Sequence, residues 1–164
     1  MEFRQLGKTG FNISEVSLGT WQLGGKWGAP FDPKDAEETL EAAYDHGVNF
    51  FDTADGYQDG HSEKTVGAFV KKHPDVHFTT KIGRKEMPLS AEHFSPKFLR
   101  RYVEESLTNM GLDSLDQVLL HCPPIMTHYA PETFQALDDL KKEGKILNYG
   151  VSVERVEEAI KAMD

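Results

Sequence analysis

The chain is 164 residues long and carries 27 acidic side chains against 18 basic ones, for a formal charge of −9. That length suits a single domain with its own core, and the acidic balance argues against a nucleic-acid partner, since phosphate binding needs clustered Lys and Arg. The nearest approach to a basic patch is Lys81, Arg84 and Lys85, which is small and local.

No apolar run approaches the roughly 20 residues of a membrane span, and the N-terminus lacks a charged-then-apolar signal, so no membrane partner and a cytoplasmic address are expected. Cys122 is the single cysteine, which leaves no internal disulfide, and no Cys/His spacing matches a zinc site. No metal is expected. His73, His77, His93 and His128 are scattered and are expected at the surface.

In chain order, residues 2–6 and 11–14 flank Gly7-Lys8-Thr9-Gly10, which suits a short hairpin. Such a hairpin, residues 1–14, can cap one end of the remaining fold. Residues 16–20 predict a first short strand, leading into a glycine-rich loop, 21–31, that lacks both the GxGxxG and the GxxxxGK[ST] patterns. Asp32 before Pro33 is a strong helix start, and Ala36, Leu40, Ala43 and Tyr44 recur at helical spacing until Gly47. Strand 48–52 then ends on an acid, Asp52, and a polar turn delivers Tyr57. Ser62 is expected to cap the next helix, with Val66, Phe69 and Val70 on its inner face.

Strand 76–82 carries Lys81 at its C-terminal end. Ser95 and Pro96 repeat the cap-then-proline start, for a helix with Phe98, Leu99, Tyr102, Val103, Leu107 and Met110 on one side and Gly111 as its stop. Strand 115–120 leads into His121. Pro131 opens a helix with Phe134, Leu137 and Leu140 inward, closed by Gly144. Strand 146–151 comes next, and a last helix, 155–163, is expected to turn Val156, Ala159 and Ile160 inward.

Short apolar strands alternating with amphipathic helices predict a parallel sheet, built here from a hairpin and five βα units in one domain, 1–164, with the units over 15–164. An open doubly wound sheet and a (β/α) barrel both satisfy that pattern. The missing dinucleotide fingerprint counts against the first, and polar groups at successive strand ends favour the barrel, whose active sites draw on several strand ends.

Asp52, Lys81 and His121 end consecutive strands, and Tyr57 lies in the loop beyond one of them, so a barrel puts all four on one rim. Their chemistry is coherent. A phenol ordinarily holds its proton far above neutrality, and a neighbouring ammonium favours the phenolate. A partly buried lysine needs a counter-ion, for which Asp52 is placed, and His121 is an adaptable donor for a substrate oxygen. A tuned proton donor beside an oxygen-binding group is what carbonyl reduction requires.

These residues fall in motifs. Leu6-Gly7-Lys8-Thr9-Gly10, Ser17-Leu18-Gly19-Thr20-Trp21, Phe51-Asp52-Thr53-Ala54-Asp55-Gly56-Tyr57, Thr80-Lys81, Leu120-His121 and the run from Gly144-Lys145 through Gly150-Val151-Ser152 resemble the aldo-keto reductases. The resemblance implies a TIM-type (β/α)8 barrel, incomplete here at about five units. It implies a catalytic tetrad of Asp52, Tyr57, Lys81 and His121, with Tyr57 as proton donor, Lys81 and Asp52 as its tuning pair and His121 as the substrate orienter. The implied cofactor is NADPH, with NADH possible, and the substrate a small-molecule aldehyde or ketone. By the same resemblance Gly19, Thr20 and Trp21 would lie beside cofactor or substrate, Asp52 would share in the cofactor site, and Ser152 would bond the nicotinamide carboxamide.

The sequence departs from the family in two ways. An asparagine usually follows the serine, whereas Val153 stands here and offers no side-chain hydrogen bond. Full barrels run to about 250 residues, and the loops that grip the pyrophosphate and adenosine lie beyond the fifth unit. The chain reads as a truncated barrel, marginal alone and completed by self-association or a missing C-terminal portion. The alternative function is a non-catalytic binding or regulatory protein, or an inactive fragment, that keeps part of the barrel.

Overall fold

The chain opens with the expected hairpin in a computed structural model that describes residues 1–25 and 28–163. Residues 26 and 27 of the glycine-rich loop, and residue 164, lie outside the described residues. Strands β1 (Phe3–Gln5) and β2 (Asn12–Ser14) pair antiparallel. The side chain of Asn49 holds the hairpin down, its Oδ1 accepting from the Ser14 amide at 2.7 Å and its Nδ2 donating to the Asn12 carbonyl at 3.1 Å. Phe11 stacks on His77, the first residue of a central strand, at 4.1 Å between ring centroids. The hairpin therefore covers the N-terminal end of the sheet and leaves the C-terminal end open.

Five parallel strands come next in the order β3-β4-β5-β6-β7, each trailed by a helix. They are β3 (Leu18–Gly19), β4 (Phe50–Asp52), β5 (His77–Ile82), β6 (Leu115–His121) and β7 (Ile146–Ser152). The helices are α1 (Pro33–Asp45), α2 (His61–Lys72), α3 (Pro96–Met110), α4 (Pro131–Lys142) and α5 (Val156–Met163). Strand order equals chain order, as in a barrel wall. Its first and last strands remain unpaired on one side among the described residues.

Most local expectations hold for the stated reasons. Asp32 caps α1, its carboxylate accepting from the amides of Lys34 and Asp35 at 2.9 and 3.3 Å, with Pro33 in the first turn. Gly111 ends α3 in the left-handed conformation, φ 63°, where a side chain would be strained. Phe51, Leu40, Val66, Phe69, Leu99 and Leu120 are buried between sheet and helices, each contributing roughly 1.5–3 kcal/mol. The close fit of α2 on α3 depends on Gly67, where an added Cβ would stand 2.3 Å from the Met110 carbonyl oxygen.

The structure corrects several readings. The strand expected over 16–20 shortens at both ends to Leu18–Gly19, and the one over 48–52 shortens at its N-terminal side to Phe50–Asp52, where Val48 packs and the amide of Asn49 bonds outside the parallel ladder. Ser62 does not cap α2. Left-handed Gly60, φ 83°, precedes that helix, and Ser62 is buried within it among other hydroxyls. Ser95 sits at the start of α3 without a side-chain capping bond. None of His73, His77, His93 and His128 is exposed: His73 stacks on Phe69, His77 bonds Asp116, and His128 is buried at 6% exposure.

The last helix is the largest departure. Val156 and Ile160 are 75% and 55% exposed, and Glu158 is the buried member, its carboxylate accepting from the amides of Glu154 and Arg155. That carboxylate caps its own helix start, and Val156 and Ile160 lie on the other, exposed side of the helix. The small basic group also dissolves into ion pairs, Lys81 with Asp52, Arg84 with Glu154 and Lys85 with Glu105. No helix among the described residues is long and apolar enough to cross a membrane, and none of their side chains group as metal ligands.

Candidate active site

The parallel register delivers polar side chains to one rim. Gly19 is opposite Asp52, and His121 is opposite Ser152, at the C-terminal ends of their strands. Backbone bonds carry the ladder past the strand ends, from the Thr20 amide to the Asp52 carbonyl, from Thr53 to Thr79 and from Asp55 to Lys81, each at 2.9 Å. The segment after Asp52 thus stays attached to β5 before it turns. Tyr57 begins a short 3₁₀ turn (Tyr57–Gly60) in which Gln58 and Asp59 adopt left-handed angles, φ 50° and 54°. Such angles cost roughly 1 kcal/mol or more per residue.

Lys81 is the centre of the group. Its side chain is 9% exposed, and its Nζ donates to Asp52 Oδ1 at 2.5 Å, to the Thr53 carbonyl at 3.1 Å and to the Tyr57 hydroxyl at 3.2 Å. Three acceptors match the three protons of an ammonium, which satisfies a charge that is otherwise costly to bury. The His121 ring meets the Tyr57 ring edge to face, with centroids 6.0 Å apart. Burial, then the charges of Lys81 and Arg84, push His121 down to about 4, so the imidazole is neutral at pH 7. A neutral imidazole has one N–H to donate and one lone pair.

Behind these groups lies a hydroxyl chain with no counterpart in the sequence reading. Ser62 Oγ donates to Thr20 Oγ1 at 2.7 Å and lies 2.8 Å from Thr53 Oγ1, while Thr20 Oγ1 donates to the Asp52 carbonyl at 2.9 Å. Thr20 is fully buried, so its hydroxyl supports the backbone of Asp52 and does not open on the rim. Glu63, also fully buried, accepts from Thr80 Oγ1 at 2.6 Å and from Asn109 Nδ2 at 2.9 Å. The only sequence signal for this support was the run of small polar residues flanking each strand end.

The remaining expected residues are spread along the same rim. Gly19 has open space where a Cβ would point, Trp21 is exposed at 53%, and Ser152 ends β7 with its hydroxyl 3.9 Å from Cys122 Sγ. Cys122 is half-buried with a left-handed φ of 49°. Asp52, Tyr57, Lys81 and His121 lie on the open rim. A cleft of about 770 Å³ lies instead on the outer side of the Tyr57 turn, between Asp55, Gly56, Lys85, Arg101 and Asn109.

Known proteins share this sequence and this fold. Residues 15–164 match the family model described as the aldo/keto reductase family. The NADH-specific methylglyoxal reductase of Escherichia coli is 36% identical over 165 residues, covering 90% of this chain and 50% of that protein. A holo-form aldo-keto reductase from Bacillus halodurans superposes with a TM-score of 0.83 at 31% identity, covering 99% of this chain and 54% of that one. An aldo-keto reductase from Klebsiella pneumoniae, solved in complex with NADPH, gives a TM-score of 0.72 at 29% identity over 92% of this chain and 49% of that one. The chain spans about half the length of the curated relatives it matches. It belongs to the aldo/keto reductase family, of which it holds the N-terminal hairpin and five βα units of an incomplete barrel.

Proposed function

We propose that the protein reduces small aldehydes or ketones to alcohols, with Tyr57 as proton donor and NADPH, or alternatively NADH, as cofactor. The observation that carries this reading is the Lys81 ammonium, bonded at once to Asp52 and to the Tyr57 hydroxyl. A reduced nicotinamide supplies a hydride to the carbonyl carbon when bound. The developing oxyanion takes the proton of the Tyr57 hydroxyl, and the O–H bond of the phenol breaks as the alcohol O–H forms. The phenolate left on Tyr57 lies 3.2 Å from the Lys81 ammonium, which stabilises it. Asp52 pairs with that ammonium and fixes its position. His121, neutral, donates its N–H to the same substrate oxygen and orients it.

The residues present fit the nicotinamide end of such a cofactor. Ser152 lies on the rim beside His121, and its thiol contact at 3.9 Å is too weak to occupy the hydroxyl. Gly19 leaves room for a flat ring and Trp21 offers an exposed aromatic surface. Val153 adds no side-chain bond, and grip on the adenosine end falls to parts of the family barrel beyond these five units. The use of NADH by the methylglyoxal reductase and the NADPH complex of the Klebsiella protein support either dinucleotide. The test is loss of NADPH absorbance on adding an aldehyde to the purified protein. Aldehyde-dependent oxidation supports the reading, whereas dinucleotide binding without turnover supports the non-catalytic alternative.

A further inference from the structure

Between Asp52 and Tyr57 lies a second acid with no part in the reaction above. Asp55 is 5% exposed. Its amide donates to the Lys81 carbonyl at 2.9 Å, and its Oδ2 accepts from the Gly83 amide at 3.2 Å. One residue thus ties the Tyr57 turn to β5 on both sides of Ile82. The fit is close on the next residue too, since a Cβ on Gly56 would come within 3.3 Å of the Lys85 backbone. Tyr57 is the residue after that, its amide donating to the Ala54 carbonyl at 3.1 Å.

We propose that Asp55 is a positioning residue for Tyr57: its carboxylate clasps the turn that carries the phenol to the backbone just beyond Lys81, and the clasp slackens when the carboxylate is protonated. Lys81 is held at both ends by this arrangement, its carbonyl by the Asp55 amide and its Nζ against Tyr57. The distance between ammonium and phenol therefore depends on how the turn is seated. An ionised carboxylate accepts from an amide about twice as strongly as a neutral acid does.

The surroundings let that proton come and go near neutrality. Asp55 Oδ1 is buried without a hydrogen-bond partner, so it is the oxygen free to carry the proton. Burial raises Asp55 to about 7, Glu63 of α2 adds to the rise, and the Gly83 and Gly56 amides and Lys85 oppose it. Lys85 is itself paired with Glu105 of α3. The cleft outside the turn, lined in part by Asp55, gives solvent a route to the acid.

This inference rests on Tyr57 being the proton donor, but its test reads structure and not turnover. The Asp55 carboxyl, the Gly83 amide and the Tyr57 ring carbons are followed by NMR from pH 5 to 9 in the purified protein. The expected result is one midpoint near pH 7 shared by all three, with the protection of the Gly83 amide, once the intrinsic pH dependence of exchange is divided out, about tenfold lower on the acid side, the difference between a charged and a neutral acceptor. Asp55→Asn keeps the shape and cannot titrate, so the Gly83 and Tyr57 signals should then be flat through pH 7. A Tyr57 ring that stays still while Gly83 titrates overturns the proposal, as does a Tyr57 transition that survives in Asp55→Asn. The wild-type titration decides the matter even where the variant fails to fold. A protein without reductase activity leaves this result readable, so the two failures are separable.

Discussion

Lys81 Nζ stands 2.5 Å from Asp52 Oδ1 on the neighbouring strand, and the same nitrogen reaches the Tyr57 hydroxyl at 3.2 Å. Lys81→Met keeps the length of the side chain and removes the charge. Turnover should fall roughly 10²–10⁴-fold, the usual scale for losing part of a proton-transfer pair. Stability should fall by about 1–3 kcal/mol, because Asp52 keeps some water while the Thr53 carbonyl loses its donor. Steady-state kinetics and urea melts check the two effects separately.

The hydroxyl chain behind the site makes a prediction of its own. Ser62 is fully buried and bridges Thr20 and Thr53. Ser62→Ala leaves two buried hydroxyls short of a partner and should cost about 1–3 kcal/mol. Ser62→Thr, which restores the oxygen, should recover part of that loss in the same urea melt.

The contact of α2 with α3 has no spare volume. A Cβ at Gly67 would fall within 2.7 Å of three Met110 backbone atoms, so Gly67→Ala forces the helices apart. The gain in helix propensity, up to about 1 kcal/mol, is smaller than an overpacking cost of roughly 1–3 kcal/mol or more. Thermal melts should show a net loss, and a stabilised Gly67→Ala would contradict the packing described.

Two groups near the site push stability in opposite directions with pH. His121 falls from 6.5 to about 4 on folding, so the unfolded chain binds the extra proton and stability is lost as pH drops from about 6.5 towards 4. Asp55 rises from 3.8 to about 7, so the folded chain binds the extra proton, and the stability this supplies at low pH is lost as pH rises through about 7. The Asp55 contribution is on the order of 4 kcal/mol, and that of the less buried His121 is smaller because solvent screens it. Asp55→Asn removes the second contribution, and its stability relative to wild type should rise steadily from pH 4 to 7 in urea melts. A difference independent of pH would contradict the protonation behaviour assigned to Asp55.

Much of the framework was legible because it arises from local rules. Asp32-Pro33, Gly111 and the alternation of apolar strands with amphipathic helices each act over a few residues, and the five units appear where those signals stand. The four side chains of the rim were legible for the same reason, since the end of a parallel strand fixes where a side chain emerges. The support beneath them was not. Ser62 has the chemistry of a helix cap, but Gly60 takes the left-handed turn one residue before the helix, and Ser62 is drawn inward to Thr53 and to Thr20, 42 residues away. Val156 and Ile160 have the spacing of a core stripe, yet the helix start is set by the Glu158 carboxylate on the opposite face. Neither a partner 42 residues away nor a capping bond from inside the helix leaves a trace in the apolar period.

That outward stripe bears on how the chain behaves alone. Val156, Ile160 and Met163 are exposed on α5 and Leu147 on β7, and β3 and β7 are open edges of the sheet among the described residues. Open edges and contiguous apolar surface favour association. The 164-residue chain by itself should show concentration-dependent growth in light scattering, and a monodisperse, heat-stable monomer would contradict this expectation.

The most direct test of the account is the rate of aldehyde-dependent NADPH oxidation by Tyr57→Phe beside the wild-type protein. The phenyl ring keeps the edge contact with His121 and loses the hydroxyl that Lys81 holds at 3.2 Å. Dinucleotide binding should be unchanged in Tyr57→Phe and turnover lower by roughly 10²–10⁴-fold. Turnover in Tyr57→Phe equal to that of the wild type would contradict it.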